Sequence, residues 1–259
     1  MYLGSWITLV SKIVTLEGIS IGKRTIQCPS LPHFLQEPNC PKSIIREFLA
    51  GLFGGDGTSP SLSVSHPSFS SIQLTWQIIK KYSDEMLGIM DQLVQILSRF
   101  DLDFRCMNPT LARTDRMTPK DYHENPRVCH GITCNSNFSL KFAKTIGFRY
   151  CINKNNRLSV AASYQRFYDN VKQQRINVIT ETNEIFDSNN ITMQKALEKA
   201  LEKVYANELP LHNWGSFPNV KTIYNYRANM SKLQGLKLLK KYFPTASEYT
   251  TQINCNTWF

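Results

Sequence analysis

The first residue in this chain with evident chemical potential is a carboxylate set among glycines. Asp56 stands in Gly54-Gly55-Asp56-Gly57, just beyond a segment patterned as a helix. A carboxylate there is presented at a helix end, open to a cation or to water. The glycines do not form a phosphate cradle, because no Gly-Lys-Ser/Thr follows and the run comes after a helix instead of before one. Ala50, Gly51, Gly54 and Gly55 are all small. Gly51 and Gly55 lie four apart, share a helix face and permit very close approach of another backbone. The plainer alternative is a C-cap, with glycine closing the helix and Asp56 facing water. A second constellation is neutral. One alternating face carries Ser61, Ser63, Ser65, Gln73, Thr75 and Gln77. Such side chains can read base edges, and strands do enter grooves; an ordinary solvated sheet face is the alternative. A third set, Cys129 and Cys134 with His123 and His130, has the residue types of a zinc site but no second cysteine pair nearby.

These residues need elements to hold them. Lys42 to Phe53 reads as a helix, with Ser43 as N-cap and the glycine run as its stop. Ser61–Ser65 and Ile72–Ile78 alternate with period two, which predicts two half-buried strands. Their apolar face is Leu62, Val64, Ile72, Leu74, Trp76 and Ile78. Met86, Leu87, Met90, Leu93, Val94 and Leu97 recur at helical spacing within 84–100. The Pro- and polar-rich stretch 101–137 reads as an insertion or long loop, 146–152 as a strand and 157–175 as a helix. The fold class is therefore α+β. Three regions are expected: a lead-in at 1–42 that ends in a Pro- and Cys-bearing stretch, a patterned domain at 43–175, and a helical, loop-rich extension at 176–259. The extension holds TMQKALEKALEKVYANE, whose Glu and Lys are spaced for i,i+4 pairing.

Thirty Lys and Arg against 20 Asp and Glu give a formal charge of +10 over 259 residues. That excess fits a polyanionic partner such as nucleic acid. No apolar run approaches the length of a membrane span, so no membrane partner is expected. Seven cysteines, an odd number in a long chain, argue for reduced thiols and an intracellular location. The opening residues lack the basic n-region and cleavage site of a signal peptide. Richness in Asn, Ile and Lys fits an AT-rich genome, such as that of an organelle (mitochondrion or plastid) or a large virus.

Phe48-Leu49-Ala50-Gly51-Leu52-Phe53-Gly54-Gly55-Asp56-Gly57 resembles the signature of the LAGLIDADG homing endonucleases. The block from Phe142 to Leu158 and the ending from Phe243 to Phe259 resemble the intein-like, double-motif (DOD-type) branch of the same family. The resemblance implies a helix-strand-strand-helix-strand-strand-helix fold with a DNA-binding antiparallel β-saddle. It also implies a site-specific, divalent-metal-dependent double-strand endonuclease. On that reading Asp56 is catalytic and binds magnesium, with the carbonyl of Gly55 as a second ligand. Lys154 supports the water or the charged transition state, with Arg149 as second choice for that role. Ala50, Gly51, Gly54 and Gly55 form the interface between two motif helices. Duplex DNA is contacted by Ser61, Ser63, Ser65, Gln73, Thr75, Gln77, Lys80, Lys81 and Arg149.

The first acidic position of the motif is Gly54 here, and the sequence holds one copy of the motif where the branch has two. A homodimer, a complementary half-protein or truncation of a former two-motif enzyme would account for this. Met1 is not a splicing nucleophile and the chain closes on Asn256-Thr257-Trp258-Phe259, so protein splicing is not expected. The alternatives to cleavage are a nucleic-acid-binding relative that assists intron splicing, as maturases do, and an inactive remnant.

Overall fold

The computed structural model describes residues 12–19, 21–62, 69–112 and 125–205 of the 259-residue chain. The chain divides into two compact units, one of Met1–Ser61 with Phe69–Ala162, the other of Leu62–Ser68 with Ser163–Phe259.

In the first unit, 3-10 turns at Arg24–Ile26 and His33–Leu35 precede helix α1, Lys42–Asp56. Then come strands β1 (Gly57–Thr58) and β2 (Ile72–Ile79), helix α2 (Ser83–Ser98), strands β3 (Phe104–Cys106), β4 (Thr110–Leu111) and β5 (Arg127–Cys134), and helix α3 (Ser139–Thr145). The first turns of helix α4 (Ile152–Ser188) complete the unit. The architecture is mixed α+β with a small open antiparallel sheet.

Helix α1 opens on Pro41, whose carbonyl accepts from the amides of Ile44 and Ile45. The expected N-cap, Ser43, is already inside the helix. The glycine run stops α1 only at its last residue: Gly54, Gly55 and Asp56 form the last turn of the helix. The stop is Gly57, extended in backbone, whose amide donates to the carbonyl of Phe53. A Cβ at Gly57 would lie 2.7 Å from that carbonyl oxygen, which only glycine avoids.

The sheet order is β1-β2-β5-β3, with β4 also on β5, and every pairing is antiparallel. β2 and β5 pair along their whole length, from Ile72↔Cys134 to Ile79↔Arg127. The stretch 101–137, expected to be loop, thus supplies three strands. On its other edge β2 pairs with β1 through Gly57↔Leu74 and Thr58↔Gln73. Ser63 and Ser65 lie outside the described residues. The expected strand at 146–152 does not form. Ile146 and Phe148 are buried in a connection turned by Gly147 and Tyr150, both at positive φ, and α4 starts at Ile152.

The core lies between the sheet and two helices. Ile72, Leu74, Trp76 and Ile78 from β2 and Ile132 and Cys134 from β5 face Ile45, Leu49, Ala50 and Phe53 of α1. The α2 stripe of Met86, Ile89, Met90, Leu93, Ile96 and Leu97 completes the cluster. Phe53 sits at the centre of an aromatic group, with ring centroids 5.1 Å from Phe142, 5.5 Å from Phe104 and 6.4 Å from Phe148. Leu31, Leu35 and Cys40 belong to the same cluster. Residues from the 1–42 stretch are therefore part of the packed unit.

In the second unit, α4 and helix α5 (Met193–Tyr205) pack Val178 and Ile179 with Met193, Leu197 and Ala200. Lys203 pairs with Glu181 at 2.6 Å. No described helix is long and apolar enough to cross a membrane.

Candidate functional site

Asp56 is held at the end of α1 by a set of internal donors. Its Oδ2 accepts from the guanidinium of Arg24 at 2.8 Å and from the indole Nε1–H of Trp76 at 3.0 Å. The Arg24 guanidinium also lies over the Trp76 ring, 5.2 Å from its centroid. Burial works against the charged carboxylate. The hydrogen bonds from Arg24 and Trp76, and the charges of Arg24 and Lys154, outweigh it and hold the pKa below the ordinary aspartate value. Asp56 is therefore a fixed anion at neutral pH.

Lys154 stands in the first turn of α4, not after a strand. Its Nζ donates to the carbonyls of Gly54 and Gly55, at 2.8 and 2.7 Å. Those carbonyls belong to the last turn of α1 and lack intrahelical donors. A lysine there satisfies them and places a cation at the negative end of the helix dipole. Arg149 is paired elsewhere. Its guanidinium bonds Glu47, which also accepts from the Tyr150 hydroxyl at 3.2 Å. Burial raises the Glu47 pKa, but the Tyr150 bond and the Arg149 and Arg46 charges bring it below the usual value. Glu47 lies nine residues before Asp56 on α1, about two and a half turns away. Arg149 is thus a brace for the middle of the helix.

Of the four small residues, two are used inside the unit. Ala50 is buried in the core, and a Cβ on Gly54 would lie 2.4 Å from the carbonyl oxygen of Arg149. Gly51 and Gly55 have open space where a Cβ would sit.

Of the donors expected to hold magnesium, Asp56 Oδ2 and the Gly55 carbonyl are already engaged within the unit. Magnesium needs oxygen donors free to approach in near-octahedral geometry. Here the Oδ2 of Asp56 is taken by Arg24 and Trp76, and the Gly55 carbonyl by the ammonium of Lys154. No cluster of three or more His, Cys, Asp or Glu able to hold a metal occurs among the described residues. The zinc alternative is corrected by register. Cys129 and Cys134 are five apart on β5, so they face opposite sides of the sheet. His130 is buried with its Nε2 3.0 Å from the Ser83 hydroxyl, and burial lowers its pKa despite nearby Asp84. His123 lies outside the described residues.

The outer face of the sheet is arranged differently. Antiparallel partners directly opposite one another share a face, so the ladders assemble rows across strands. Thr58 on β1 lies opposite Gln73, Gln73 opposite Thr133, and Thr133 opposite Arg105 on β3. A second row joins Thr75 to Gly131, and a third joins Gln77, Cys129 and Thr110. Arg127 lies at the end of β5, opposite Ile79, with its Nε buried and unpartnered among the described residues. Lys80 and Lys81 follow β2 and are exposed. Thr75 has only glycine opposite: a Cβ on Gly131 would lie 2.8 Å from the Thr75 methyl.

Gln73, Thr75 and Gln77 thus share one face of the sheet, as their alternation predicts, and Lys80 and Lys81 follow in the 3-10 turn Lys80–Tyr82. Ser61 instead pairs with Ser70 through backbone and hydroxyl. The residues that sequence reasoning missed are Arg24, Trp76 as a polar partner, Thr58, Arg105, Arg127 and Thr133. Thr133 had one available signal: the period-two pattern of Val128, His130, Ile132 and Cys134.

No family model matches the chain. The chain is similar to Replication factor C small subunit of Methanocaldococcus jannaschii, 24% identical over 164 residues, which is 63% of this chain and 8% of that protein. The matched stretch is therefore less than a tenth of the relative's length. The relative is named for a replication factor subunit, a function different from that of a homing endonuclease. On this finding the expected site-specific endonuclease, with its maturase and remnant alternatives, is set aside.

Proposed function

We propose that the first unit is a nucleic-acid-binding module that uses the outer face of its sheet. The carrying observation is the row Thr58–Gln73–Thr133–Arg105, which crosses four strands. Hydroxyls and amides alternate there with a cation, and the side chains of Gln73, Thr75, Gln77 and Arg105 make no hydrogen bond or ion pair among the described residues. Base edges and phosphates are the ligands that such donors suit. The charge of +10 supports a polyanionic partner, and similarity to a protein named for replication agrees with it. Duplex DNA is the proposed partner. The proposed fold is the saddle of the LAGLIDADG resemblance; the helix-strand-strand-helix start α1, β1, β2, α2 supports it, and β3, β4, β5, α3 and α4 follow, with β4 and α3 as additions to the expected order. Close pairing with a second copy along the open Gly51 and Gly55 edge belongs to the same proposal, with the solution mass as its readout.

Anisotropy of a labelled random-sequence duplex, titrated at several salt concentrations, tests the reading. Affinity should fall linearly with salt on logarithmic axes, and Arg105→Ala should lower the slope by about one. Gln77→Ala should leave the slope alone and alter sequence preference. Absence of binding at low salt, or a slope indifferent to Arg105, Lys80 and Lys81, would remove the outer face from consideration.

A further inference from the structure

Two side chains from different elements form a recognition seat that the chain fills by itself. Trp76 on β2 donates its Nε1–H to Asp56 Oδ2 at 3.0 Å, which fixes carboxylate and indole relative to one another. The guanidinium of Arg24 donates to that same oxygen from 2.8 Å and lies over the indole ring at 5.2 Å. A carboxylate at the edge and an aromatic face alongside suit a planar, delocalised cation that can stack and donate at once. A compact ammonium lacks the plane that stacks.

The segment that carries Arg24 packs against β2 and buries the Thr25 hydroxyl there without a hydrogen-bond partner among the described residues, so Arg24 makes its one polar side-chain tie to the rest of the unit. The turn Arg24–Ile26 contains no buried residue. The other hydrogen bonds of residues 21–28 are local: Gln27 Nε2 to the Ile21 carbonyl, the Ile26 amide to Lys23, and Cys28 Sγ toward Pro29. Burial resumes only at Leu31, a core residue.

We propose that Asp56 and Trp76 form a guanidinium seat and that Arg24 is its internal occupant, a latch that holds residues 21–28 against β2 and withholds Asp56 from any other cation. The latch is independent of nucleic-acid binding, since the outer rows of the sheet do not include it. Its ligand class is a guanidinium, supplied in this structure by the chain.

Two measurements on the full chain test it. Hydrogen exchange of residues 21–28 is compared among the wild type, Arg24→Ala, Asp56→Asn and the double variant, with protection of the β2–β5 ladder as the check on folding. Each single variant should speed exchange in 21–28 by about fivefold, the size of a part-exposed charge-assisted pair. The double variant should add nothing further, because both changes break one interaction. In Arg24→Ala, the Trp76 indole resonance, assigned with Trp76→Phe, is then followed while methylguanidinium is added. Millimolar methylguanidinium should return it toward the wild-type position, and methylammonium at equal concentration should not. Unchanged exchange in Arg24→Ala overturns the latch, and equal responses to the two cations overturn the seat.

Discussion

Two polar regions of the first unit are built on opposite terms. At the end of α1, Asp56 is met by Arg24 and Trp76, and the carbonyls beside it by Lys154. On the outer face of the sheet, Gln73, Thr75, Gln77 and Arg105 have no such partners among the described residues. Polar groups satisfied from within stabilise a joint. Polar groups aligned across strands and left to solvent keep their donors and acceptors for a ligand. A carboxylate framed by glycines attracts chemical attention in a sequence, yet here the less conspicuous Gln and Thr alternation marks the surface with free capacity.

The sharpest way to break that contrast is to disturb what supports the joint. Phe53→Ala removes the ring on which Phe104, Phe142 and Phe148 converge and should cost about 3–5 kcal/mol in urea unfolding. Gly54→Ala should cost about 1–3 kcal/mol, since its Cβ meets a backbone carbonyl at 2.4 Å and neither side can yield easily. Lys154→Met leaves two helix-end carbonyls without their donor and should cost about 1–2 kcal/mol, with Lys154→Arg recovering part of it. Gly51→Ala points the other way. It enters open space in the helix and should stabilise by up to about 1 kcal/mol. On the outer face, Gln77→Ala and Arg105→Ala should change stability by less than about 0.5 kcal/mol while altering DNA binding. An outer-face cost as large as that of Lys154→Met would erase the distinction.

Acid titration sharpens the same comparison. Asp56 has a folded pKa below its unfolded value. Its contribution is therefore present above the unfolded pKa, about 3.9, and is lost as pH falls through the folded one. The stability gap between wild type and Asp56→Asn should stay constant from neutral pH to about 5 and close below about 4. A gap that persists in acid would mean that the Asp56 charge plays no part in the joint.

Helix α1, strand β2 and helix α2 were legible because their apolar residues carry strong periodicity, and their observed bounds fall close to those expected. β5 was not, because His130 and Cys134 occupy inward positions where a binary pattern looks for aliphatic residues, and Gly131 interrupts the run. The reverse error occurred at 146–152. Ile146 and Phe148 alternate because two side chains plug the core from a turn, with no neighbouring strand to pair. Asp56, Gln73, Thr75 and Gln77 were visible as residues. Arg24 was not, since 32 positions separate it from Asp56 and no local pattern marks it.

The sequence by itself determined the net positive charge, the α+β class, the helix that precedes Asp56 and the strand whose alternate residues are Gln, Thr and Gln. These follow from composition and short-range periodicity, which involve neighbours a few residues apart. Tertiary structure decided which polar residues are available. It brought Arg24, Trp76 and Lys154 to the end of α1, and it placed Thr58, Thr133 and Arg105 in line with Gln73. Availability depends on partners distant along the chain, and only strand register and helix packing bring those partners within reach of a hydrogen bond.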